Sequence, residues 1–409
     1  MSQATRILLS LLVGLSGGVA LAAFAPGAVP GTIAVAEPIG SAWLHGLQMT
    51  IVPLVVSLLV TGVAATAEAA KAGRLAGRAI ALYVGFLFAS ATIAALATPL
   101  ILALVPLPAA SSQALRGALV GAAKVPAVPP LGEFFAGIVP TNIIRAAAGD
   151  AFLSLIIFTL AFAFAIARID AEGRALLVRF FTALRDTMLV VIDWVLWIAP
   201  VGVLALALVV GARAGSGAFG ALVHYILVVS SVGVIVTLLA YPVAWAGARL
   251  PLAQFGRAAL PSQAVAISTQ SSLASVPAML EGAGELGVSV RTAGVTLPLA
   301  VAIFRATGPA MNLAVAIYVA TWFGVAMSPA TLAIAVVVAT LTSLGSVSLP
   351  GTVSYVSAIA PIAGTIGAPV APLGLLVAVE TIPDIIRTVG NVTMDLATTA
   401  WLGRRDPSE

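Results

Sequence analysis

The chain has 409 residues, 61% of them hydrophobic and 8% charged, a balance that excludes a soluble globular domain and points to a polytopic membrane protein. Its 19 Lys and Arg against 15 Asp and Glu leave a net charge of +4; the basic residues are scattered without aromatic interleaving, which argues against a nucleic-acid partner. There is no Cys, so disulfides, thiolate catalysis and Cys-based metal sites are excluded together.

A spanning helix needs roughly 20 apolar residues. The first apolar run, 7–25, reads as a span rather than a signal peptide because no cleavage site follows it. Further runs place helices over 41–68, 77–105, 143–167, 187–212, 222–247 and 292–324, with the last over 369–402, eight in all. Two more apolar pieces, 258–280 and 331–366, are interrupted by "STQSSLASVP" and "TSLGSVSLPG". Broken backbone at membrane depth is tolerated only inside protein or along a cavity, so these pieces predict two re-entrant helical hairpins. Their opposite orientations form an inverted pair, and in transporters a substrate site lies near the midplane where such broken elements meet.

Positive charge collects in cytoplasmic loops. With both termini inside, the cytoplasmic side holds Arg6, Lys71, Arg74, Arg78, Arg168, Arg174, Arg179, Arg185, Arg249, Arg257, Arg291, Arg404 and Arg405. The outside holds Arg116, Lys124, Arg145 and Arg213. Thirteen against four supports a multi-pass protein of the cytoplasmic membrane with cytoplasmic termini; Arg305 and Arg387 remain, both inside helices.

In "TIPDIIRTVGNVTMDLATTA", Asp384, Arg387, Asn391 and Asp395 are spaced three, four and four apart, which sets them along one helical face. Ionisable groups at membrane depth face the bundle interior and pair with one another or with a ligand. A structural salt-bridge ladder and a substrate site both fit that spacing.

The pieces "SSLASVP" (271–277), "SLGSVSLPG" (343–351) and "DIIRTVGNVTMDL" (384–396) resemble the dicarboxylate and amino-acid:cation symporter family, which includes the glutamate transporters and the archaeal aspartate transporters. Weaker similarity runs through "MTIVPLVVSLLVTG" (49–62), "IVPTN" (138–142) and "WIAPVGVLAL" (197–206). The resemblance implies an elevator-type glutamate-transporter fold and a homotrimer in the lipid bilayer. It divides the single transporter unit, 1–409, into a scaffold, about 1–70 and 136–215, and a transport part, about 71–105 and 222–402, that carries the hairpins.

Residue by residue, the resemblance implies that Asp384 receives a substrate amino group and Arg387 its side-chain carboxylate, with Thr388 and Asn391 as polar contacts. An Arg suits this role because its planar fork holds a carboxylate bidentately. Ser271 and Ser272 match the first hairpin's substrate contacts, and Ser348, Leu349, Pro350 and Gly351 the tip of the second. Family members that carry simple dicarboxylates usually lack an acid at the position of Asp384. The implied substrate is therefore a small anionic or zwitterionic molecule, an acidic amino acid like aspartate or glutamate. A C4-dicarboxylate, or a non-coupled anion channel or sensor on the same fold, is the alternative.

This chain departs from the family at its sodium ligands. The family's "NMDGT" is replaced by "FRATG", so Phe304 and Ala306 stand for the Asn and Asp, and Gly308 for the Thr; Phe86 and Leu87 replace a Thr-Ser pair beside the retained Tyr83. Val353 stands where a Gly is common. No metal ligand set is therefore assigned. Arg305, replacing the Met, is expected to substitute for a sodium charge and to pair with Asp395, unless it snorkels to an aqueous opening. The coupling cation is a proton or sodium, with Glu380, one turn before Asp384, as the candidate proton carrier. No cofactor is implied.

No enzyme constellation appears. His45 and His224, the only histidines, lack a metal-ligand partner at helical spacing, and Ser271 and Ser272 lack a nearby base. Asp193 beside Trp194 reads as a scaffold or interfacial contact, and "GAGELG" (282–287) as a turn rather than a phosphate loop.

Overall fold

The computed structural model describes residues 3–71, 74–107, 139–149, 151–215, 217–345 and 351–404, with no β-strand among them. In chain order the helices are α1 Gln3–Phe24, α2 Val29–Gln48, α3 Ile51–Lys71, α4 Arg74–Leu104, α5 Ile143–Ala148, α6 Phe152–Ile166, α7 Ala171–Trp197, α8 Ala199–Ala214 and α9 Gly217–Ala248. They continue with α10 Leu252–Thr269, α11 Val276–Glu285, α12 Val290–Ile303, α13 Gly308–Phe323, α14 Pro329–Gly345, α15 Gly351–Ile366, α16 Leu373–Leu376 and α17 Thr381–Arg404. By length and composition, five helical stretches among the described residues are apolar enough to cross a membrane, or six if the bent pair α7–α8 is one span.

Five predicted spans need redrawing: the fourth, 143–167, is divided between α5 and α6, the eighth, 369–402, opens with α16 and a 3-10 turn before α17, and three others differ as follows. The second, 41–68, straddles a junction: α2 begins at Val29 and α3 follows from Ile51. Pro30 and Gly31 make the start of α2 look like loop, but a Pro in the first helical turn gives up no intrahelical hydrogen bond. The fifth, 187–212, contains a bend of 56° between α7 and α8, where Pro200 cannot donate to the preceding turn. Residues 171–186, charged and outside the predicted span, form the first half of α7, capped by Asp170 accepting from Gly173 N at 2.9 Å. The seventh, 292–324, is broken between Ile303 and Gly308.

The two interrupted pieces become paired helices. α10 and α11 pack together around the turn at 270–275, where Gln270 is left-handed at φ 52°. α14 and α15 likewise pack together. Ser348, Leu349 and Pro350 lie outside the described residues, as do Arg116, Lys124 and Arg405 of the charge count, and the side chains of Gly351 and Val353.

Exposed apolar residues such as Leu96, Leu100, Trp194, Trp197, Leu227 and Leu238 cover the outer faces of α4, α7 and α9, as a lipid-facing surface requires. α1 crosses α8 closely: a Cβ on Gly14 would sit 2.6 Å from the Leu204 carbonyl oxygen, and Gly18 and Gly211 meet the facing backbone in the same way. Small residues replace the hydrophobic effect as the means of packing helices in lipid. α13 is buried on nearly all sides. A separate buried cluster joins Tyr83 of α4 with Phe255, Met279, Leu297, Phe304 and Leu396 from α10, α11, α12, the helix break and α17. That cluster supports the elements carrying the polar face of α17.

Candidate functional site

The site begins at the break after α12. Phe304 leaves helical geometry at φ −110°, ψ 89°, and α13 restarts at Gly308 with Pro309 in its first turn. A break frees backbone polar groups that need partners when buried. Thr307 N–H donates to Asn391 Oδ1 at 3.0 Å, and the Thr307 hydroxyl reaches Arg387 O at 2.8 Å and Asn391 Oδ1 at 2.7 Å. Ser90 of α4 donates to the Ala306 carbonyl. The break is thus stitched to α17 and α4, and Asn391 is oriented through its oxygen.

α17 then presents its polar residues inward, with Asp384, Arg387, Thr388, Asn391 and Asp395 all buried. Arg387 Nη1 lies 2.6 Å from Glu380 Oε1 and 3.4 Å from Asp384 Oδ1. Its other edge, Nε and Nη2, is buried with no hydrogen-bond partner among the described residues. That edge matches the two oxygens of a carboxylate. Leaving charged donors unsatisfied costs on the order of 1–3 kcal/mol or more each, so the arrangement suits a ligand that completes it. The Thr388 hydroxyl donates back to Asp384 O at 2.8 Å, which leaves its lone pairs available.

Glu380 is fully buried. It lies at the join between the 3-10 turn Val377–Val379 and α17. Tyr225 of α9 donates to Glu380 Oε2 at 3.3 Å, and its hydroxyl is 2.6 Å from that of Tyr355 on α15. Glu380 therefore bridges the guanidinium on one side and a pair of phenols on the other.

Asp395, two turns beyond Arg387, is fully buried and neither carboxylate oxygen has a hydrogen-bond partner among the described residues. Arg305 makes no direct ion pair with it, contrary to the expectation from sequence; it acts on Asp395, as on Asp384 and Arg387, through the electrostatic field. The break turns Phe304 onto Tyr83, the rings stacked at 4.5 Å and 7°. Tyr83 is itself an electrostatic neighbour of Asp395, so the ring pair fills space beside the carboxylate. Phe86 packs on Phe304 and Trp401, with ring centroids 6.4 and 6.0 Å away. Leu87 is buried in the same cluster. An apolar cavity of about 330 Å³ adjoins Phe86, Ala306, Met394 and Trp401. The positions expected to have lost sodium ligands are thus filled by rings and aliphatic carbon.

The structure brings together Glu380, Asp384, Arg387, Thr388 and Asn391, with Arg305 and Asp395 in electrostatic range. Ser271 and Ser272 sit in the α10–α11 turn, where Ser271 Oγ accepts from Ala274 N at 3.2 Å and Ser275 donates to Ser271 O at 3.0 Å. No hydrogen bond joins either serine to α17 among the described residues; the arm itself does so, through Gln263 Nε2 donating to Thr393 Oγ1 at 3.0 Å. Sequence reasoning missed Thr307, Tyr225 and Tyr355. Thr307 stands between Arg305 and the Gly308–Pro309 step, Tyr225 beside His224, and Tyr355 among Thr352, Ser354 and Ser357, so each has a polar neighbour as its only local signal.

The model of the sodium:dicarboxylate symporter family matches residues 4–405. The chain is 29% identical to the proton/glutamate-aspartate symporter of Escherichia coli (strain K12), over 89% of the chain and 85% of that protein. It is 28% identical to the proton/sodium-glutamate symport protein of Bacillus subtilis (strain 168), over 99% of the chain and 94% of that protein. It is 27% identical to the C4-dicarboxylate transport protein of Anaeromyxobacter sp. (strain K), over 98% of the chain and 92% of that protein.

Proposed function

We infer that this chain, which belongs to the sodium:dicarboxylate symporter family, is a secondary active transporter that moves an acidic amino acid across the cytoplasmic membrane. The observation that carries the reading is Arg387, whose Nε–Nη2 edge is buried and unmet while Nη1 is held by Glu380 and Asp384. A substrate carboxylate completes that edge. Asp384 then takes the substrate ammonium, and Thr388 and Asn391 the remaining polar atoms.

Charge supports a coupled cation. Two guanidinium groups, Arg305 and Arg387, share this region with three carboxylates, Glu380, Asp384 and Asp395. Adding an anionic substrate deepens the excess of negative charge where screening by water is weak. A positive charge must enter with it. The aromatic packing at Phe304, Phe86 and Tyr83 disfavours sodium there, since that ion needs several oxygen ligands. We assign the role to a proton, carried by Glu380, with Arg305 as the standing replacement for a lost sodium charge. The relatives named for proton and proton/sodium symport are compatible with this.

The elevator arrangement belongs to the same reading. A homotrimeric scaffold, about 1–70 and 136–215, guides a transport part, about 71–105 and 222–402; the cluster around Tyr83, Phe255 and Phe304 falls wholly within the latter and supports its moving as a unit.

The 3.4 Å approach of Asp384 to Arg387 favours one second reading, a C4-dicarboxylate carrier in which Arg387 alone neutralises Asp384. Thermal unfolding of the purified protein separates the two. A ligand at 100 times its Kd stabilises by about 2.7 kcal/mol. Aspartate or glutamate is expected to raise the midpoint and succinate or malate to leave it unchanged; the reverse order would select the dicarboxylate.

A further inference from the structure

Tyr225 and Tyr355 come from different elements, α9 and α15, yet their hydroxyls meet at 2.6 Å beside a fully buried carboxylate. Both phenols are fully buried. Each hydroxyl has one proton to give. If Tyr225 donates to Glu380 Oε2, its own oxygen is free to accept, and Tyr355 supplies the donor. The chain then runs Tyr355 to Tyr225 to Glu380 and suits an ionised Glu380, which accepts from the phenol on one oxygen and faces Arg387 Nη1 on the other.

Putting a proton on Glu380 changes this order. The carboxylic acid becomes a donor, Tyr225 accepts, and Tyr225 in turn donates to Tyr355. The hold of Glu380 on Arg387 falls from an ion pair to a neutral contact, and the guanidinium charge is left for the incoming carboxylate. No bond other than O–H is made or broken: one proton enters and the phenol protons reorient.

We propose that Tyr225 and Tyr355 are positioning residues that set how readily Glu380 takes a proton, and through it how strongly Arg387 binds substrate. Among the described residues, the charged and titratable groups that face Glu380 are Arg387 and Asp384 on α17, Tyr225 on α9 and Tyr355 on α15. The inference rests on the reading of the protein as a proton-coupled carrier and adds the residues that tune the coupling. Because Tyr355 belongs to the second hairpin, the seating of α15 and the charge on Glu380 depend on each other.

The test is initial-rate uptake of labelled aspartate and glutamate into proteoliposomes across a range of pH, with matched unfolding midpoints for each protein. Tyr355→Phe removes the terminal donor while keeping the ring, and Tyr225→Phe is the companion that removes the link itself. Each withdraws hydrogen-bond support from ionised Glu380, so the half-maximal pH of uptake should move upward by about one pH unit, the equivalent of one modest interaction. KM should change more than the maximal rate. In a Glu380→Gln background both changes should lose their effect on the profile.

Uptake by Tyr225→Phe and Tyr355→Phe that keeps the parental pH profile, or that falls equally at every pH and adds to Glu380→Gln, would overturn the proposal while leaving the proton-coupled reading standing. A parent protein whose uptake ignores pH would overturn both, and the unmutated protein alone reports that.

Discussion

Arg387 carries the account at the level of single residues. Its guanidinium is divided, one nitrogen against Glu380 and Asp384 and the opposite edge unmet. Lys has a single ammonium and no second edge. Arg387→Lys should therefore weaken binding of the acidic substrate by a factor of roughly 30 to 5000, the range for losing one side of a buried charged pair, about 2–5 kcal/mol. Equilibrium binding by isothermal titration at fixed pH checks this, and unchanged affinity would remove Arg387 from the site. The polar face of α17 was legible from spacing alone, because three- and four-residue intervals put charges on one side of a helix. The Tyr225–Tyr355 pair was not, since two residues 130 positions apart meet only through packing. Arg305 shows the opposite failure. An unusual cation in an apolar helix signals a nearby anion, but spacing cannot say whether the two touch or interact at a distance.

Among the elements, the break between α12 and α13 decides where the site lies. The sequence there shows Arg305 and a Gly-Pro step at 308–309 inside an otherwise long hydrophobic run, so length and composition alone draw the run as continuous. The interruptions within 258–280 and 331–366 were easier, because they are rich in Ser, Thr and Pro. The start of α2 and the first half of α7 were hidden by Pro30 and by charges, respectively, although each is compatible with a helix once its end is capped or its polar face is exposed. Gly390 measures how tightly the break is seated. A Cβ there would strike Thr237 Oγ1 on α9 and Thr307 Cγ2 at the break. Gly390→Ala should destabilise the fold by about 1–3 kcal/mol through overpacking, and it should displace Thr307 from Asn391. The expected result is a lower unfolding midpoint together with a smaller substrate-induced stabilisation. A variant with both values unchanged would mean that the break and α17 are not rigidly joined.

At the scale of the whole molecule, composition alone identified a helical membrane protein, and the order of helices and interrupted pieces carried the resemblance along almost the full chain. What composition leaves open is the ion that drives transport, because that depends on a few side chains at one depth. Here those side chains are Phe304, Ala306 and Phe86 where oxygen ligands were expected, with Arg305 and Glu380 nearby. On the proposed reading, the proton gradient drives accumulation of an anion and sodium adds nothing. Reconstituting the protein into tight proteoliposomes and measuring aspartate and glutamate uptake under separately imposed gradients tests this directly. The account predicts accumulation driven by an inward proton gradient in sodium-free buffer, with no gain from an inward sodium gradient. Accumulation that requires sodium and ignores the proton gradient would contradict it.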